Sequence, residues 1–397
     1  MIDRGEGSLL FEEGGHALID AIASWWVNLH GHSHPAIAKA LADQAQTLEH
    51  VIFAGFQHRP AATLATRLVA LLPWTKRVFF SDNGSTAVEV GLKMALQYWH
   101  NQGQARTKFI AFAGGYHGDT FGAMAVGDGG TFSAPFQKLF FPTEKVPFPT
   151  NANFAAVRDR FAKLCATGEI AGFVYEPIVQ GVAGFRMCDP EQLESLLQIA
   201  KQAGVLCIAD EVMTGFGRTG PLFASELCAT KPDLVCLSKG ITGGTMPLAV
   251  TACTDEVFQM FLSEDADKAF YHGHSYTANP LACRVANVSL DLLLSDSCQT
   301  RRSAIAARFQ AERERFQNLP KIKNARSRGC LFAMDLDTGS DSYFNTVRTK
   351  VGPFFRERGI LLRPLGNTLY LVPPYCLKDT ELDHIFAAME EFVCGLE

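Results

Sequence analysis

The chain has 397 residues, of which 47% are hydrophobic and 19% charged, with a formal net charge of −5. This is the composition of a globular protein with a large core, and it excludes a disordered chain. The length exceeds the roughly 250–300 residues at which one core stops growing, so we expect two domains. The acidic balance predicts no nucleic acid partner and no anionic membrane surface as partner.

The apolar stretches, the cysteines and the histidines indicate where the protein is located and whether it binds a metal. No apolar stretch approaches the roughly eighteen residues of a membrane span, and the first residues lack the apolar core of a signal peptide, so we expect a cytoplasmic protein. Eleven cysteines without a Cys-x-x-Cys pair indicate neither a disulfide framework nor a structural zinc site. His30, His32 and His34 alternate with Gly, Ser and Pro, which favours a polar loop over a metal site.

Short apolar runs alternate with helical patterns from residue 77 to about 253, which predicts a mainly parallel sheet between helices. The predicted strands are Val78–Phe80, Phe109–Phe112, Gly172–Tyr175, Val205–Ala209, Leu234–Leu237 and Leu248–Val250. The helical patterns between them include Thr86–Trp99 and Pro190–Ala203. In an open sheet of this kind, ligands bind at the carboxyl ends of the strands.

From about residue 300 the pattern changes to that of a second, smaller α+β domain. The chain there reads as a charged helix through Glu312–Arg315, strand-like runs at Leu331–Met334, Ile360–Leu362 and Leu369–Val372, and a closing helix over Lys378–Phe392. We see no internal repeat and no long linker.

Two polar residues stand at the tips of successive predicted strands. Asp210 ends the run Val205–Ala209, and Lys239 follows Leu234–Leu237. A lysine can form a Schiff base with pyridoxal phosphate, and a carboxylate can keep the pyridine nitrogen protonated so that the ring accepts electrons. Polar residues at strand ends often only solvate a loop, but these two types in this order favour a pyridoxal phosphate enzyme.

Two further segments suit the same cofactor. Ser81–Thr86 lies between a predicted strand and a predicted helix, where N–H groups and hydroxyls can hold a phosphate, although an ordinary helix N-cap has the same sequence. Gly114–Asp119 predicts a tight turn in which Tyr116 could lie flat on an aromatic ring. Alone, this second motif is only a glycine-rich turn.

Two other motifs point to different chemistry. Gly215–Gly220 matches the G-x-G-x-x-G pattern of dinucleotide-binding oxidoreductases, yet it does not directly follow the strand and lacks an acidic residue about twenty positions later. Val205–Asp210 with Glu211 looks like the acidic strand of an ATPase, but the chain has no G-x-x-x-x-G-K-[ST] segment. Both alternatives are therefore disfavoured.

Over essentially its whole length, the chain resembles the class III, fold-type I aminotransferases, which depend on pyridoxal phosphate. The motifs that carry the resemblance are Ser24–Trp26, Tyr116–Thr120, Ala209–Glu211 with Gly215–Gly220, and Arg363–Pro364 with Tyr370–Tyr375. The paired tryptophans and the Asp after Tyr-His-Gly are most particular to the members of biotin synthesis. That subfamily converts 8-amino-7-oxononanoate to 7,8-diaminononanoate, and the resemblance favours S-adenosylmethionine over lysine or another amine as donor.

The resemblance also implies an architecture. The class has an α/β fold, with a mainly parallel seven-stranded sheet between helices in a large domain and a smaller α+β domain. We place the large domain at residues 24–293 and build the small domain from residues 1–23 and 294–397. Members are homodimers with shared active sites, so we expect a homodimer.

Roles at the cofactor follow residue by residue from the resemblance. Lys239 would form the Schiff base and carry the proton, and Asp210 would pair with the pyridine nitrogen. Tyr116 would stack on one ring face and Val212 would press on the other. Burial is expected to lower the pKa of Lys239, which favours the neutral amine that both of its roles need.

The resemblance assigns the phosphate and the substrate to further residues. Gly84 and Ser85 would hold the phosphate, which His274 and Ser275 would complete from the neighbouring subunit. The implied substrate-binding residues are Trp25, Trp26 and Tyr370 as walls of a tunnel, Arg363 as the receiver of a carboxylate, and Asp119 and Gly273. Core packing is the alternative for the tryptophans, and an exposed ion pair for Arg363.

The chain departs from the family in two places. Members begin with a segment that carries an aromatic His-x-x-x-Pro-Tyr stretch, whereas the match here starts near Gly7–Leu10, so we expect that wall to be missing or built differently. Many members have Gly-Pro-Thr where this chain has Gly273-His274-Ser275, which leaves the amino donor open. Another class III ω-aminotransferase, an aminomutase or a non-catalytic cofactor-binding protein are the alternatives.

Overall fold

The computed structural model describes residues 1–128, 130, 133–339 and 347–396. Its strands are β1 (Ile2–Glu6), β2 (Leu9–Glu12), β3 (Ala17–Asp20), β4 (Arg77–Ser81), β5 (Lys108–Phe112), β6 (Thr143–Val146), β7 (Ile170–Tyr175), β8 (Val179–Gln180), β9 (Arg186–Met187), β10 (Leu206–Asp210), β11 (Leu234–Leu237), β12 (Ala249–Cys253), β13 (Ile322–Arg328), β14 (Leu331–Leu336), β15 (Ile360–Leu361) and β16 (Thr368–Leu371). Its helices are α1 (Ala23–Trp26), α2 (Pro35–Thr47), α3 (Arg59–Leu71), α4 (Gly84–Asn101), α5 (Phe121–Val126), α6 (Phe154–Cys165), α7 (Pro190–Gln202), α8 (Asp255–Gln259), α9 (Pro280–Leu294), α10 (Asp296–Phe316), α11 (Val347–Glu357) and α12 (Asp379–Cys394).

Seven of the described strands form one sheet in the order β4-β12-β11-β10-β7-β5-β6. Only β12 runs antiparallel to its neighbours, and the other adjacent pairs are parallel. The predicted mainly parallel seven-stranded sheet is therefore confirmed. The sequence did not reveal β6, because Thr143–Val146 carries two charged residues and buries only Val146 fully, so it lacks the apolar run of a central strand.

Helices cover both faces of this sheet. Residues of β10 alternate between the two sides: Ile208 packs in the cluster that contains α4, while Cys207 and Ala209 pack in the cluster that contains α6 and α7. All five residues of β10 are buried, as expected of a parallel strand with helices above and below. The strand tips are thereby held rigidly at one edge of the sheet.

The first three strands form a separate sheet with a strand from the carboxyl-terminal region, in the order β1-β2-β3-β15, and Ile19 pairs in parallel with Ile360. A three-stranded sheet, β13-β14-β16, packs on α10 and α12 through the rings of Phe309, Phe332 and Phe386. The domain boundaries given above remain a prediction. In the part of the chain that the structure describes, no helix combines the length and the apolar character that crossing a membrane requires.

Candidate active site

Three polar side chains come from the ends of adjacent strands. Asp210 ends β10, Glu176 directly follows β7, and Lys239 lies two residues beyond β11. All three line one cavity of about 480 Å³. The structure therefore brings the predicted pair Asp210 and Lys239 together. Sequence reasoning missed Glu176, although the same signal, a carboxylate after a buried strand, is present at Tyr175-Glu176.

Lys239 begins a short 3₁₀ turn, Lys239–Thr242, with a left-handed φ of 45°. Such a conformation is uncommon for a residue with a side chain and clusters at functional sites. Its Nζ lies 5.0 Å from the centroid of the Trp26 ring. Burial lowers the pKa of Lys239, against the opposing effect of the Asp210 and Glu176 carboxylates. A neutral amine is thus accessible more readily than for a lysine in water.

Asp210 is held by two fixed contacts. One carboxylate oxygen lies 2.7 Å from Nδ1 of the buried His117, and the other accepts the backbone N–H of Val212 at 3.1 Å. His117 was not assigned a role from the sequence, although it directly follows Tyr116. Because both side chains are nearly inaccessible, the carboxylate presented to the cavity has a single orientation.

The amino end of α4 forms another wall of the cavity. Asn83 caps the helix, because its side chain accepts the N–H of Thr86 at 3.1 Å. This is the ordinary helix N-cap that the sequence offered as the alternative for Ser81–Thr86. The N–H groups of Gly84 and Ser85 donate to no described residue. A Cβ on Gly84 would lie 2.8 Å from Val212 Cγ1, so only glycine allows this close approach.

The turn after β5 closes on the same helix. The N–H of Asp119 donates to Ser85 Oγ at 3.1 Å, while the Asp119 side chain is exposed outside the cavity. Gly118, at φ 118°, lies so close to Ser85 that a Cβ would be 2.0 Å from its Oγ. Tyr116 lines the cavity, and burial together with the Asp119 carboxylate raises the pKa of Tyr116 to about 12. Its hydroxyl therefore stays protonated at neutral pH.

The paired tryptophans point in opposite directions. Trp26 is 5% exposed, lines the cavity and packs edge-on against Phe185 and Tyr370 at centroid distances of 5.3 and 5.9 Å. Trp25 is 57% exposed and lies outside the cavity lining. The Arg363 guanidinium stacks on the Trp25 ring at 4.4 Å and forms no ion pair with any residue that the structure describes. Trp25 and Arg363 thus form one surface unit.

Asp20 explains this arrangement of the tryptophans. Its buried carboxylate accepts the N–H and the hydroxyl of Ser24, both at 2.9 Å, and lies 2.9 Å from His32 Nε2. These contacts hold the segment while Ala23, Ser24 and Trp26 adopt left-handed φ values of 49°, 60° and 65°. No sequence signal pointed to Asp20.

The predicted Gly273-His274-Ser275 segment lies beside the cavity rather than in its lining. His274 Nδ1 is 3.3 Å from the Asp82 carboxylate of the same chain, and Asp82 lines the cavity. The His274 Nε2 atom is buried without a hydrogen bond to a described residue, whereas Gly273 and Ser275 are exposed. Their role at a neighbouring subunit's phosphate site stays a prediction.

The G-x-G-x-x-G match has a packing role. Arg218 within it is buried, donates to the carbonyls of Pro373 at 2.6 Å and Asn28 at 3.1 Å, and faces the Tyr375 ring. A Cβ on Gly217 would lie 2.1 Å from Arg302. The segment therefore joins the carboxyl-terminal strands to the loop after α1.

The chain belongs to the class-III aminotransferase family, whose pattern matches residues 1–393. It is 49% identical to the adenosylmethionine-8-amino-7-oxononanoate aminotransferase of Synechococcus elongatus, over 98% of this chain and 93% of that protein. It is 38% identical to the enzyme of the same name from Geobacter sulfurreducens, over 99% and 91% of the two chains.

Solved structures agree with this membership. The adenosylmethionine-8-amino-7-oxononanoate aminotransferase of Methanocaldococcus jannaschii superimposes with a TM-score of 0.93 at 33% identity, over 100% of this chain and 93% of that one. An amine transaminase from an uncultivated Pseudomonas species, in its PLP-bound form, has a TM-score of 0.93 at 28% identity, over 99% and 94%. The fold predicted from the resemblance is confirmed.

Proposed function

We propose that this protein is the aminotransferase that converts 8-amino-7-oxononanoate to 7,8-diaminononanoate in biotin synthesis. Its main structural support is the cavity that gathers Lys239, Asp210 and Trp26. The relatives that carry this activity in their names match nearly the whole chain. An aminotransferase of another specificity would also have Lys239 and Asp210, but it would not need the adjacent tryptophans Trp25 and Trp26.

Pyridoxal phosphate is the proposed cofactor, and the residues present fit it. The free N–H groups of Gly84 and Ser85 at the positive end of the eighteen-residue α4 suit a phosphate. Asp210, fixed by His117, suits a protonated pyridine nitrogen, and Tyr116 and Val212 suit the two faces of a ring. The cofactor supplies electron withdrawal from a substrate amine and carries the amino group between two half-reactions.

Lys239 is the residue proposed to hold the cofactor and to move the proton at Nζ. A general base must be neutral when it accepts a proton, and burial lowers the Lys239 pKa in that direction. Trp26 lies over this nitrogen and, with Tyr370 and Phe185 behind it, limits access of water. Lys239, Asp210 and Trp26 would thus all contact a substrate bound in the same cavity.

The substrate side suits a long aliphatic chain with a carboxylate at its end. Val182, Met213 and Trp26 give the cavity an apolar wall. Arg363, without a carboxylate partner among the described residues, is proposed to pair with the substrate carboxylate in the planar, bidentate manner of guanidinium groups. Trp25 would hold that guanidinium by stacking. Tyr370 would support Trp26 from behind, and Asp119 would act at the rim.

A homodimer in the cytoplasm completes the proposal. Gly273, His274 and Ser275 would reach the phosphate site of a neighbouring subunit. The adjoining Tyr276 is exposed and its ring lies 5.6 Å from that of His50, and the exposed Ile52 and Phe56 follow His50 in the chain, so this apolar surface suits an interface. Sedimentation should therefore give twice the monomer mass, and Ser275→Ala should raise the dissociation constant for pyridoxal phosphate about tenfold through one lost hydrogen bond to a charged group.

S-adenosylmethionine is the proposed donor. The decisive experiment mixes the cofactor-loaded protein with S-adenosylmethionine, lysine or a simple ω-amine and follows the cofactor absorbance in a single half-reaction. Bleaching by S-adenosylmethionine, followed by recovery with 8-amino-7-oxononanoate, is expected. Recovery with other ketones but not with 8-amino-7-oxononanoate would instead establish an ω-aminotransferase of different specificity.

A further inference from the structure

Glu176 lies in the cavity wall but has no part in the roles assigned above. One carboxylate oxygen accepts the backbone N–H of Tyr116 at 3.1 Å, and the other accepts the backbone N–H of Gly181 at 2.8 Å. The side chain is 5% exposed, and among the described residues its hydrogen bonds are to backbone N–H groups rather than to a lysine or an arginine. Both oxygens are therefore used as a link between two backbone segments.

The two linked segments form different walls of the site. Tyr116 carries the aromatic ring proposed to cover the cofactor. Gly181 lies under the substrate wall, where an added Cβ would be 3.1 Å from both the Trp26 ring and the Met213 methyl group. Glu176 thus connects the ring-covering segment to the backbone on which Trp26 rests, across the width of the cavity.

Several charged groups surround this carboxylate. Asp210 and His117 face it from β10 and from the turn after β5, and Lys239 faces the cavity from beyond β11. Arg218 acts on Lys239 from the loop after β10. Burial raises the pKa of Glu176 to about 7, while His117 and the two backbone donors oppose that change. The ionised form is the one that accepts both N–H groups.

We propose that Glu176 is a positioning residue that holds the Tyr116 segment and the Trp26 wall in fixed relative positions, and that its carboxylate, which lines the same cavity as Lys239, acts on that amine as a nearby negative charge. The proposal rests on the assignment of Lys239 as the cofactor-holding amine. It does not depend on which amine or ketone is the substrate.

Two substitutions separate the geometric role from the electrostatic one. Glu176→Gln keeps the shape but removes the charge, and its NH₂ group must face one of the two N–H donors. Glu176→Asp keeps the charge but is one methylene too short to reach both donors. A matched control is Glu194→Gln, because Glu194 also accepts a backbone N–H, from Thr230 at 2.9 Å, but outside the cavity.

The charge readout is the pH dependence of Lys239 acetylation in cofactor-free protein, measured by competitive labelling and mass spectrometry. Removing a nearby negative charge should lower the labelling pKa by about one unit in Glu176→Gln, whereas Glu176→Asp and Glu194→Gln should match the wild type. The geometric readout is the dissociation constant for pyridoxal phosphate, which should rise about tenfold in both Glu176 variants and stay constant in Glu194→Gln.

An unchanged Lys239 labelling pKa in Glu176→Gln, with only a lower free energy of unfolding, would overturn the electrostatic role. An unchanged cofactor dissociation constant in Glu176→Asp would overturn the geometric role. Because the labelling needs neither substrate nor cofactor, a wrong substrate assignment would leave its result intact.

Discussion

The two sides of the cavity are built in different ways. On the reactive side, Glu176, Asp210 and Lys239 lie at or just beyond the carboxyl ends of β7, β10 and β11, three adjacent strands whose residues are all buried. On the substrate side, Trp26 comes from the start of the chain and Tyr370 from near its end, and they meet only because the terminal segments pack together. The reactive groups therefore depend on sheet geometry, and the substrate wall depends on a few specific long-range contacts.

The largest effect is expected on the reactive side. Lys239→Ala removes the amine proposed both to hold the cofactor and to move the proton, so the turnover rate should fall by roughly 10⁴-fold or more. Single-turnover kinetics measure this loss. The exposed Lys163→Ala is the matched control and should keep full activity. Turnover by Lys239→Ala within tenfold of the wild type would refute the proposed mechanism.

On the substrate side, the two tryptophans should differ in their contribution to stability. Trp26→Ala empties a buried position and should lower the free energy of unfolding by about 3–5 kcal/mol. Trp25→Ala alters an exposed side chain and should cost less than about 1 kcal/mol. Urea unfolding of both variants measures the difference. Equal losses would contradict the inward and outward orientations described for this pair.

The pH dependence of the free energy of unfolding tests Glu176 on the reactive side. The folded-state pKa of Glu176 is about 7 against an unfolded value near 4.5, so the folded protein holds this proton more firmly. The stabilisation is complete below pH 4.5 and is lost as pH rises through 7, a change of about 3 kcal/mol. Urea unfolding of the wild type and Glu176→Gln from pH 4.5 to 8 should show this slope in their difference. A difference independent of pH would refute it.

A smaller effect is expected at Asp20, which orients the substrate wall. Asp20→Asn keeps the shape but weakens the contacts to Ser24 and His32, so unfolding should become easier by about 2 kcal/mol. The KM for 8-amino-7-oxononanoate should rise while the cofactor dissociation constant stays constant. Asp43→Asn, at an exposed pair with Lys39, is the control. A selective rise in the cofactor dissociation constant would show that the two sides are not independent.

Much of the fold could be predicted from the sequence because its signals are local. Buried strands appear in the sequence as short apolar runs, and six of the seven strands of the large sheet were predicted from such runs. Only β6 was not predicted, because this edge strand contains charged residues and therefore has no apolar run. Asp210 and Lys239 were predicted for the same reason, because a residue that follows an apolar run in the sequence lies at the carboxyl end of the strand that the run forms.

The tertiary structure alone decided the substrate side. Adjacent tryptophans give no sequence signal for which ring turns inward, because that depends on left-handed backbone held by Asp20 and His32. Arg363 could be chosen for its chemistry, but its stacking on Trp25 arises because β3 pairs with β15, which brings residue 363 close to residue 25. By itself the sequence determined the sheet and the reactive pair at its tips, because both follow from local periodicity. The contacts of Trp26 with Tyr370 and of Trp25 with Arg363 join residues more than three hundred positions apart, which no local pattern encodes.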